Sequence, residues 1–270
     1  MTPLLCALAV SAAPSDDPPV RRAGPEFPLA RAARPLVLPE GWYRVDLGGR
    51  YTEIAPDEPL FRLDFGGTLG LEHGLFVRVD LLRWNFSRAA GYGLEQPRVG
   101  FGYGFLRGGV VEVAAEVGVE VPSGGDFAGD LGLLMRVHGG RWVRLDVESG
   151  VRGSSSDIRP ESEANGRAQL LVSPIAPLSI AAASELRLVT LTGAESLVGR
   201  LWAELGLAFP RADGEASWEL VARVGTPERT LAGPDLDTPR FGHAWSVGLE
   251  LRLFFDAPAS SFDDPWDEAW

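Results

Sequence analysis

The sequence contains no lysine, a single cysteine and no long hydrophobic run, and each of these absences removes a class of protein. All 25 basic residues are arginine, and 37 acidic residues outnumber them, which gives a net charge of -12. Because phosphate binding requires a basic surface, this balance argues against a nucleic-acid partner. No stretch of about 18 apolar residues occurs, so a spanning helix is excluded and any membrane crossing must be made by strands.

The only cysteine, Cys6, lies inside the apolar stretch from Leu4 to Val10, which three small residues follow. A short apolar run before small residues is typical of a secretory signal peptide, although no basic residue precedes this one. We expect residues 1–13 to be a signal peptide, so that the mature chain has no thiol for disulfides or catalysis. Residues 14–40 are rich in Pro, Ala and Arg and show no helical or strand period, which predicts a linker.

From residue 41 onward, apolar and charged side chains alternate with a period of two, as in strands with two different faces. The clearest case runs from Val111 to Val121, where Glu112, Glu116 and Glu120 lie opposite an apolar face. The number of such segments is even, as in bacterial single-chain barrels. The twelve segments span residues 42–53, 60–71, 75–86, 97–107, 109–121, 130–138, 141–152, 165–175, 178–191, 197–209, 216–225 and 241–255.

The connections between these segments also alternate in length. They are mostly tight after even-numbered segments and tend to be longer after odd-numbered ones, as in 153–164 and 226–240. Short turns at one rim and longer loops at the other predict an outer-membrane barrel with both termini at the periplasmic, short-turn rim. We therefore expect an all-β, closed antiparallel up-and-down transmembrane barrel over residues 41–255, in the cell outer membrane, with an acidic tail over residues 256–270.

Alternation alone does not decide which face points outward, so a soluble barrel with an apolar interior is the alternative. The polar face carries both signs of charge and many glycines, which favours a membrane barrel whose outer face contacts the lipid bilayer and lipopolysaccharide. Arg83 falls on the apolar face if the alternation simply continues, which predicts a β-bulge or a position at the membrane rim. Aromatic residues near segment ends would form two interfacial girdles: Trp42, Tyr43, Trp84, Phe86, Trp142, Phe209, Trp218, Trp245, Phe254 and Phe255.

The last segment, from Trp245 to Phe255, has apolar residues at alternate positions and ends in an aromatic residue. It resembles the β-signal of outer-membrane proteins, through which the assembly machinery recognises them. The resemblance implies this role for Gly248, Leu251, Leu253 and Phe255, although the chain continues where that family usually stops.

Two further stretches are Leu38-Pro39-Glu40-Gly41 and the segment from Val121 to Gly132, which contains Pro122-Ser123-Gly124-Gly125-Asp126. They are similar to a family of outer-membrane transporters linked with the breakdown of aromatic compounds. This resemblance implies passage of small molecules.

The candidate site residues are those of the charged face, which would line the lumen. Opposite charges on neighbouring strands can pair directly. In one interpretation the opposite charges of this face pair with one another and stabilise the barrel wall. In the other they form the constriction of a pore for ions or polar solutes. We predict a passive channel or transporter for small solutes, with a sealed structural barrel as the alternative. The lumen residues singled out are Arg98, Glu112, Glu116, Glu120, Arg136, Arg144, Asp146 and Glu148.

Catalytic and metal sites find little support in the sequence. An outer-membrane hydrolase would require a histidine such as His243, near Asp235 and Asp237, but a loop histidine is commonly only solvated. A calcium ion requires six or more oxygen ligands, whereas the sequence offers pairs of aspartates, such as Asp126 with Asp130. We therefore expect no enzyme, no cofactor and no metal.

Overall fold

The computed structural model describes residues 27–55, 58–87, 91–121, 127–155, 162–191, 194–211, 216–233 and 245–256. The described residues contain two single-turn 3-10 helices, Arg31–Ala33 and Glu72–Gly74, and no helix long and apolar enough to span a membrane. The strands are β1 (Trp42–Ala55), β2 (Glu58–Gly70), β3 (Leu75–Ser87), β4 (Gly91–Glu95), β5 (Arg98–Leu106), β6 (Val111–Glu120), β7 (Ala128–Gly139), β8 (Val143–Ser154), β9 (Ser162–Ile175), β10 (Leu178–Leu191), β11 (Ala194–Pro210), β12 (Ala216–Gly225), β13 (Arg229–Ala232) and β14 (Ser246–Asp256).

Twelve of these strands close into one antiparallel barrel. Each pairs with its neighbours along the chain, in the order β1, β2, β3, β5, β6, β7, β8, β9, β10, β11, β12 and β14, and β14 pairs with β1. The closing pair runs from Trp42 opposite Asp256 to Thr52 opposite Ser246. The predicted twelve-stranded up-and-down barrel is therefore confirmed.

Two short strands outside the barrel were missed by the sequence prediction, which assigned both to loops. β4 pairs with β3 between Arg83 and Ser87, where β5 no longer reaches, and β13 pairs with the start of β11, which β12 does not cover. Because an unpaired strand edge leaves N–H and C=O groups without partners, a long strand beside a shorter one favours such an addition.

The two rims of the barrel differ in their connections. The turns β2 to β3, β5 to β6, β7 to β8, β9 to β10 and β11 to β12 share one rim with the start of β1 and the end of β14. In this short-turn rim, Gly108 and Gly140 adopt φ angles of 71° and 74°, which glycine reaches without steric cost. The opposite rim carries the connection from β3 to β5 and the one from β12 to β14, and we call it the long-loop rim.

The apolar face of the strands points outward and the charged face points into the lumen. On β6, Val117 exposes 53% of its surface, whereas the neighbouring Glu116 exposes 4%. Residues such as Phe101, Leu131 and Leu201 are likewise exposed on the outside. The alternative with an apolar interior is therefore excluded.

The strand β3 contains an irregularity beside Arg83. The bulge predicted near Arg83 is confirmed, because Phe65 pairs with Leu82 and Gly66 with Asp80, which leaves Leu81 without a partner and turns Arg83 toward Asp80.

Trp42 and Phe254 were wrongly assigned to the girdles. Both are buried on the inner face, where they pack against Phe27. By contrast, Tyr43, Trp84, Trp142, Trp245 and Phe255 are exposed, as the girdle prediction requires.

Candidate functional site in the lumen

Ion pairs cover the lumen wall toward the long-loop rim. Arg98 on β5 donates to Glu116 at 2.6 Å and to Asp130 at 2.5 Å, and so joins β5, β6 and β7. Glu120 accepts from Arg152 at 2.7 Å, two strands away. Opposite charges on neighbouring strands thus pair with one another, as expected for the charged face.

Farther around the wall, the predicted residues on β7 and β8 form a second group. Arg136 donates to Asp146 at 2.7 Å, and Arg144 lies 2.9 Å from the same carboxylate. Glu148 is nearer the long-loop rim, where its carboxylate lies 3.6 Å from Arg167. Arg136 and Arg144 are buried, whereas the Glu148 side chain is 42% exposed.

Glu112 has a different environment from the other two glutamates of β6. It accepts the backbone N–H of Leu36 at 2.6 Å and that of Gly108 at 3.1 Å. His138 also contacts it, since Nε2 lies 3.2 Å from Glu112 and Nδ1 lies 3.0 Å from the carbonyl of Ala32. Glu112 therefore binds the chain segment that precedes β1, and not Arg136, which stands opposite it on β7.

That preceding segment, residues 27–41, lies inside the barrel near the short-turn rim, and we call it the lumen segment. Arg31 donates to Glu204 at 2.8 Å, and Arg34 donates to Glu219 at 2.8 Å. Both arginines and both glutamates are buried. Burial lowers the pKa of both guanidinium groups, and the Glu219 carboxylate opposes this effect.

Wall side chains also bind the backbone of the lumen segment. Arg144 donates to the carbonyl of Arg31 at 2.5 Å, and Arg136 donates to the carbonyl of Arg34 at 2.9 Å. Such bonds supply partners for the backbone of a segment that has no helix or strand outside its 3-10 turn. Further backbone contacts with the wall include Ala32 N–H to Ser173 Oγ (3.1 Å), Ala216 N–H to the Phe27 carbonyl (3.4 Å) and Gly41 N–H to the Gly70 carbonyl (3.1 Å).

Apolar contacts complete the seating of the lumen segment. Phe27 stacks on Trp42 with ring centroids 5.0 Å apart and packs against Phe254 at 4.9 Å. Farther along, Ala32 packs against Leu171 and Ala181 on the wall. A third cluster joins Leu36 and Val37 of the segment to the wall residues Phe76, Ala114 and Leu134. The short-turn half of the lumen is therefore filled by protein.

The long-loop half contains an open polar cavity of about 300 Å³. No residue of the lumen segment lines it, and the charged lining residues come from facing parts of the wall: Asp46, Arg50, Asp64, Asp80, Arg83, Arg167, Arg223 and Glu250. By comparison, the space between the lumen segment and the wall is about 80 Å³. The cavity in the long-loop half is therefore the larger of the two, and it can admit water and a small solute.

The remaining candidate residues are those for metal binding, catalysis and outer-membrane assembly. Within the described part of the chain, no cluster of His, Cys, Asp and Glu is arranged to hold a metal ion. His243, Asp235, Asp237 and Asp126 lie outside the described residues, as do residues 1–26 and 257–270. On β14, Gly248 faces the lumen, Leu251 and Leu253 alternate with Arg252, and Phe255 is exposed beside the closing seam with β1.

The closed barrel, its apolar exterior and its charged lumen define the class of outer-membrane β-barrels. Solved structures with a similar fold include an outer-membrane channel from Pseudomonas putida F1, with a TM-score of 0.57 and 14% identity over 81% of this chain and 97% of that one. The NanC porin gives 0.53 and 8% over 77% and 98% of the two chains. The KdgM porin, solved in complex with disordered oligogalacturonate, gives 0.52 and 9% over 78% and 99%. No protein-family model matches the sequence, and curated proteins give no match.

Sequence reasoning missed Arg31, Arg34, Glu204 and Glu219 as a connected group. A signal for it was present, because a group of apolar residues interrupts the charged face where the lumen segment packs. The inward-facing apolar residues near the short-turn rim are Trp42, Phe76, Ala114, Leu134, Leu171, Ala181, Val221 and Phe254.

Proposed function

We propose that the protein is a passive outer-membrane channel for small polar solutes. The observation that carries this proposal is the cavity of about 300 Å³ inside the closed barrel, lined by charged side chains from facing walls. Charged groups that line an enclosed, water-accessible space are the elements with which channels select solutes. The similar folds of porins and channels support the same conclusion.

The proposal includes the surroundings of the barrel. Its apolar exterior would contact the lipid bilayer and lipopolysaccharide, with the short-turn rim in the periplasm. Gly248, Leu251, Leu253 and Phe255 on β14 would be recognised by the outer-membrane assembly machinery. Their position on the strand that closes the barrel against β1 supports that role.

The lumen segment would act as the barrier to permeation. It lies beside Glu112, Arg136, Arg144 and Asp146, so the constriction proposed for these residues is completed by a separate piece of chain. Passage of a solute would then require residues 27–41 to shift or leave. Arg98, Glu116, Glu120 and Glu148 would line the path toward the long-loop rim.

The nature of the solute is the finer part of the proposal. The similarity of Leu38-Pro39-Glu40-Gly41 to transporters linked with the breakdown of aromatic compounds makes small aromatic solutes candidates. The charged lining of the cavity favours solutes that also carry polar groups. Swelling of proteoliposomes in benzoate, compared with a sugar acid of similar size, would separate aromatic from purely polar preference.

A sealed structural barrel is the second candidate, and the filled short-turn half of the lumen favours it. Single-channel recording in planar bilayers distinguishes the two. We expect rare or small openings of the full chain. Openings should be at least about tenfold more frequent for Arg31→Gln/Arg34→Gln, because the buried ion pairs of these arginines with Glu204 and Glu219 are lost.

The matched control is Arg141→Gln/Arg211→Gln, which removes two arginines at the short-turn rim that carry none of the contacts of the lumen segment described above. Its openings should resemble those of the unmodified chain. If neither the full chain nor the Arg31→Gln/Arg34→Gln variant conducts at any voltage, the barrel is sealed and the channel proposal fails.

A further inference from the structure

Arg50 differs from the other charged residues that line the cavity. It projects from β1 into the cavity, and among the described residues it has no hydrogen bond and no ion pair. Its neighbours Arg62 and Arg223 are well paired: Arg62 donates to Asp64 at 2.7 Å, and Arg223 lies 2.6 Å from Glu250. Within the described part of the chain, Arg50 is therefore a cation that faces the cavity without a carboxylate in ion-pair contact.

The strand register makes this arrangement unfavourable unless an anion is present. Arg50 stands directly opposite Arg62 on β2, and like charges placed opposite each other destabilise a pair of strands. On its other side Arg50 stands opposite Gly248 on β14, which in turn stands opposite Arg223 on β12. Gly248 has no side chain, so a gap remains on the lumen face between Arg50 and Arg223.

Among the described residues, the acidic side chains that line the cavity make no ion pair with Arg50, because each binds another arginine. Asp46 accepts from Arg44 at 2.9 Å, and Asp80 accepts from Arg83 at 2.9 Å. The remaining acidic lining residues are Asp64, which binds Arg62, and Glu250, which binds Arg252 and Arg223. The uncompensated charge of the lining is thus positive at Arg50.

We propose that the lumen contains a binding site for the carboxylate of a small solute, over Gly248 and between Arg50 and Arg223. A guanidinium group binds a carboxylate through two parallel N–H···O hydrogen bonds, and Arg50 has this capacity free. The site rests on the proposed function, since it names the class of solute that the channel takes: small carboxylates.

Isothermal titration of the purified full chain with succinate tests this site. In about 0.1 M salt, where the screening length is about 10 Å, succinate should bind saturably and uncharged succinamide should not. Arg50→Gln should weaken succinate binding by about tenfold or more. Arg152→Gln removes the same charge from the wall outside this cavity, where Arg152 binds Glu120, and should leave the affinity within about twofold.

Arg50→Lys sharpens the test, because it keeps the charge and loses the planar fork of donors. Its affinity for succinate should lie between those of the unmodified chain and Arg50→Gln. Equal succinate binding by the unmodified chain and Arg50→Gln, or equal binding of succinate and succinamide, overturns the site. Titration needs no current through a membrane, so a failed site and a failed channel are distinguishable.

Discussion

In the short-turn half of the lumen, wall side chains bind a separate segment of the chain, whereas in the long-loop half they bind one another. Arg136 and Arg144 donate to backbone carbonyls of the lumen segment, while Arg98 donates to the carboxylates of Glu116 and Asp130. The same residue types thus perform two tasks. Apolar residues such as Leu171 and Phe254 interrupt the charged face beside the lumen segment, whereas charged side chains line the aqueous cavity.

The ion pairs of the two halves differ in burial, and therefore in the free-energy cost of removing one partner. Glu219 is fully buried and lies within 3.5 Å of Arg31, Arg34 and Arg252, whereas the Asp130 side chain is 22% exposed beside Arg98. Removing one partner of a buried ion pair leaves an uncompensated charge in a poorly solvated place, which costs several kcal/mol. Water can replace a partner in the open half at much lower cost.

The largest effect is expected for Glu219→Gln. Loss of this carboxylate should destabilise the seated lumen segment by about 3–5 kcal/mol, because the buried guanidinium group of Arg34 loses its partner. Trypsin cleavage of the Arg31–Ala32 bond, followed by mass spectrometry, reports the unseated state and should accelerate by about a hundredfold or more.

Glu148→Gln is the control for this prediction, since it makes the same change at a half-exposed carboxylate in the other half. Its cleavage rate should stay within about fivefold of the unmodified chain. If Glu219→Gln leaves the Arg31–Ala32 bond as resistant as Glu148→Gln does, the buried ion pairs do not hold the segment.

The strand pattern could be predicted because a barrel strand imposes a strict period of two. The charged and apolar faces and the number of barrel strands follow from that period, and the bulge beside Arg83 follows from a local break in it. The strands β4 and β13 could not be predicted, because they exist only where a neighbouring strand is too short to cover an edge.

The lumen segment could not be predicted from its own composition. Outside one 3-10 turn it has neither helix nor strand, and its order comes from side chains far away in sequence: Arg31 binds Glu204, and Arg34 binds Glu219. The usable signal lay in the wall, where Leu171 and Phe254 stand on the face that is charged elsewhere. A residue that breaks the pattern of its own strand can indicate what packs against it.

A smaller effect is expected for Leu171→Ala. Leu171 is fully buried against Ala32 of the lumen segment, so its truncation leaves a cavity that should cost about 2 kcal/mol. The Arg31–Ala32 bond should then be cleaved about thirtyfold faster. Leu170→Ala changes the adjacent residue, which is 50% exposed on the outer face, and should not alter cleavage. Equal acceleration by both variants would mean that the inner apolar residues have no special role.

The smallest effect is expected in the open half, for Asp130→Asn. Arg98 loses one carboxylate there but keeps Glu116 at 2.6 Å. Both the Arg98 and the Asp130 side chains are partly exposed, so water can solvate the vacated N–H groups. The free energy of unfolding in urea should fall by about 1 kcal/mol or less, with cleavage at Arg31–Ala32 unchanged. An increase in cleavage comparable to that of Glu219→Gln would show that the ion-pair network transmits the destabilisation from one half of the lumen to the other. The lumen would then be a single cooperative unit, and the separation of a seated segment from an independent aqueous cavity would not hold.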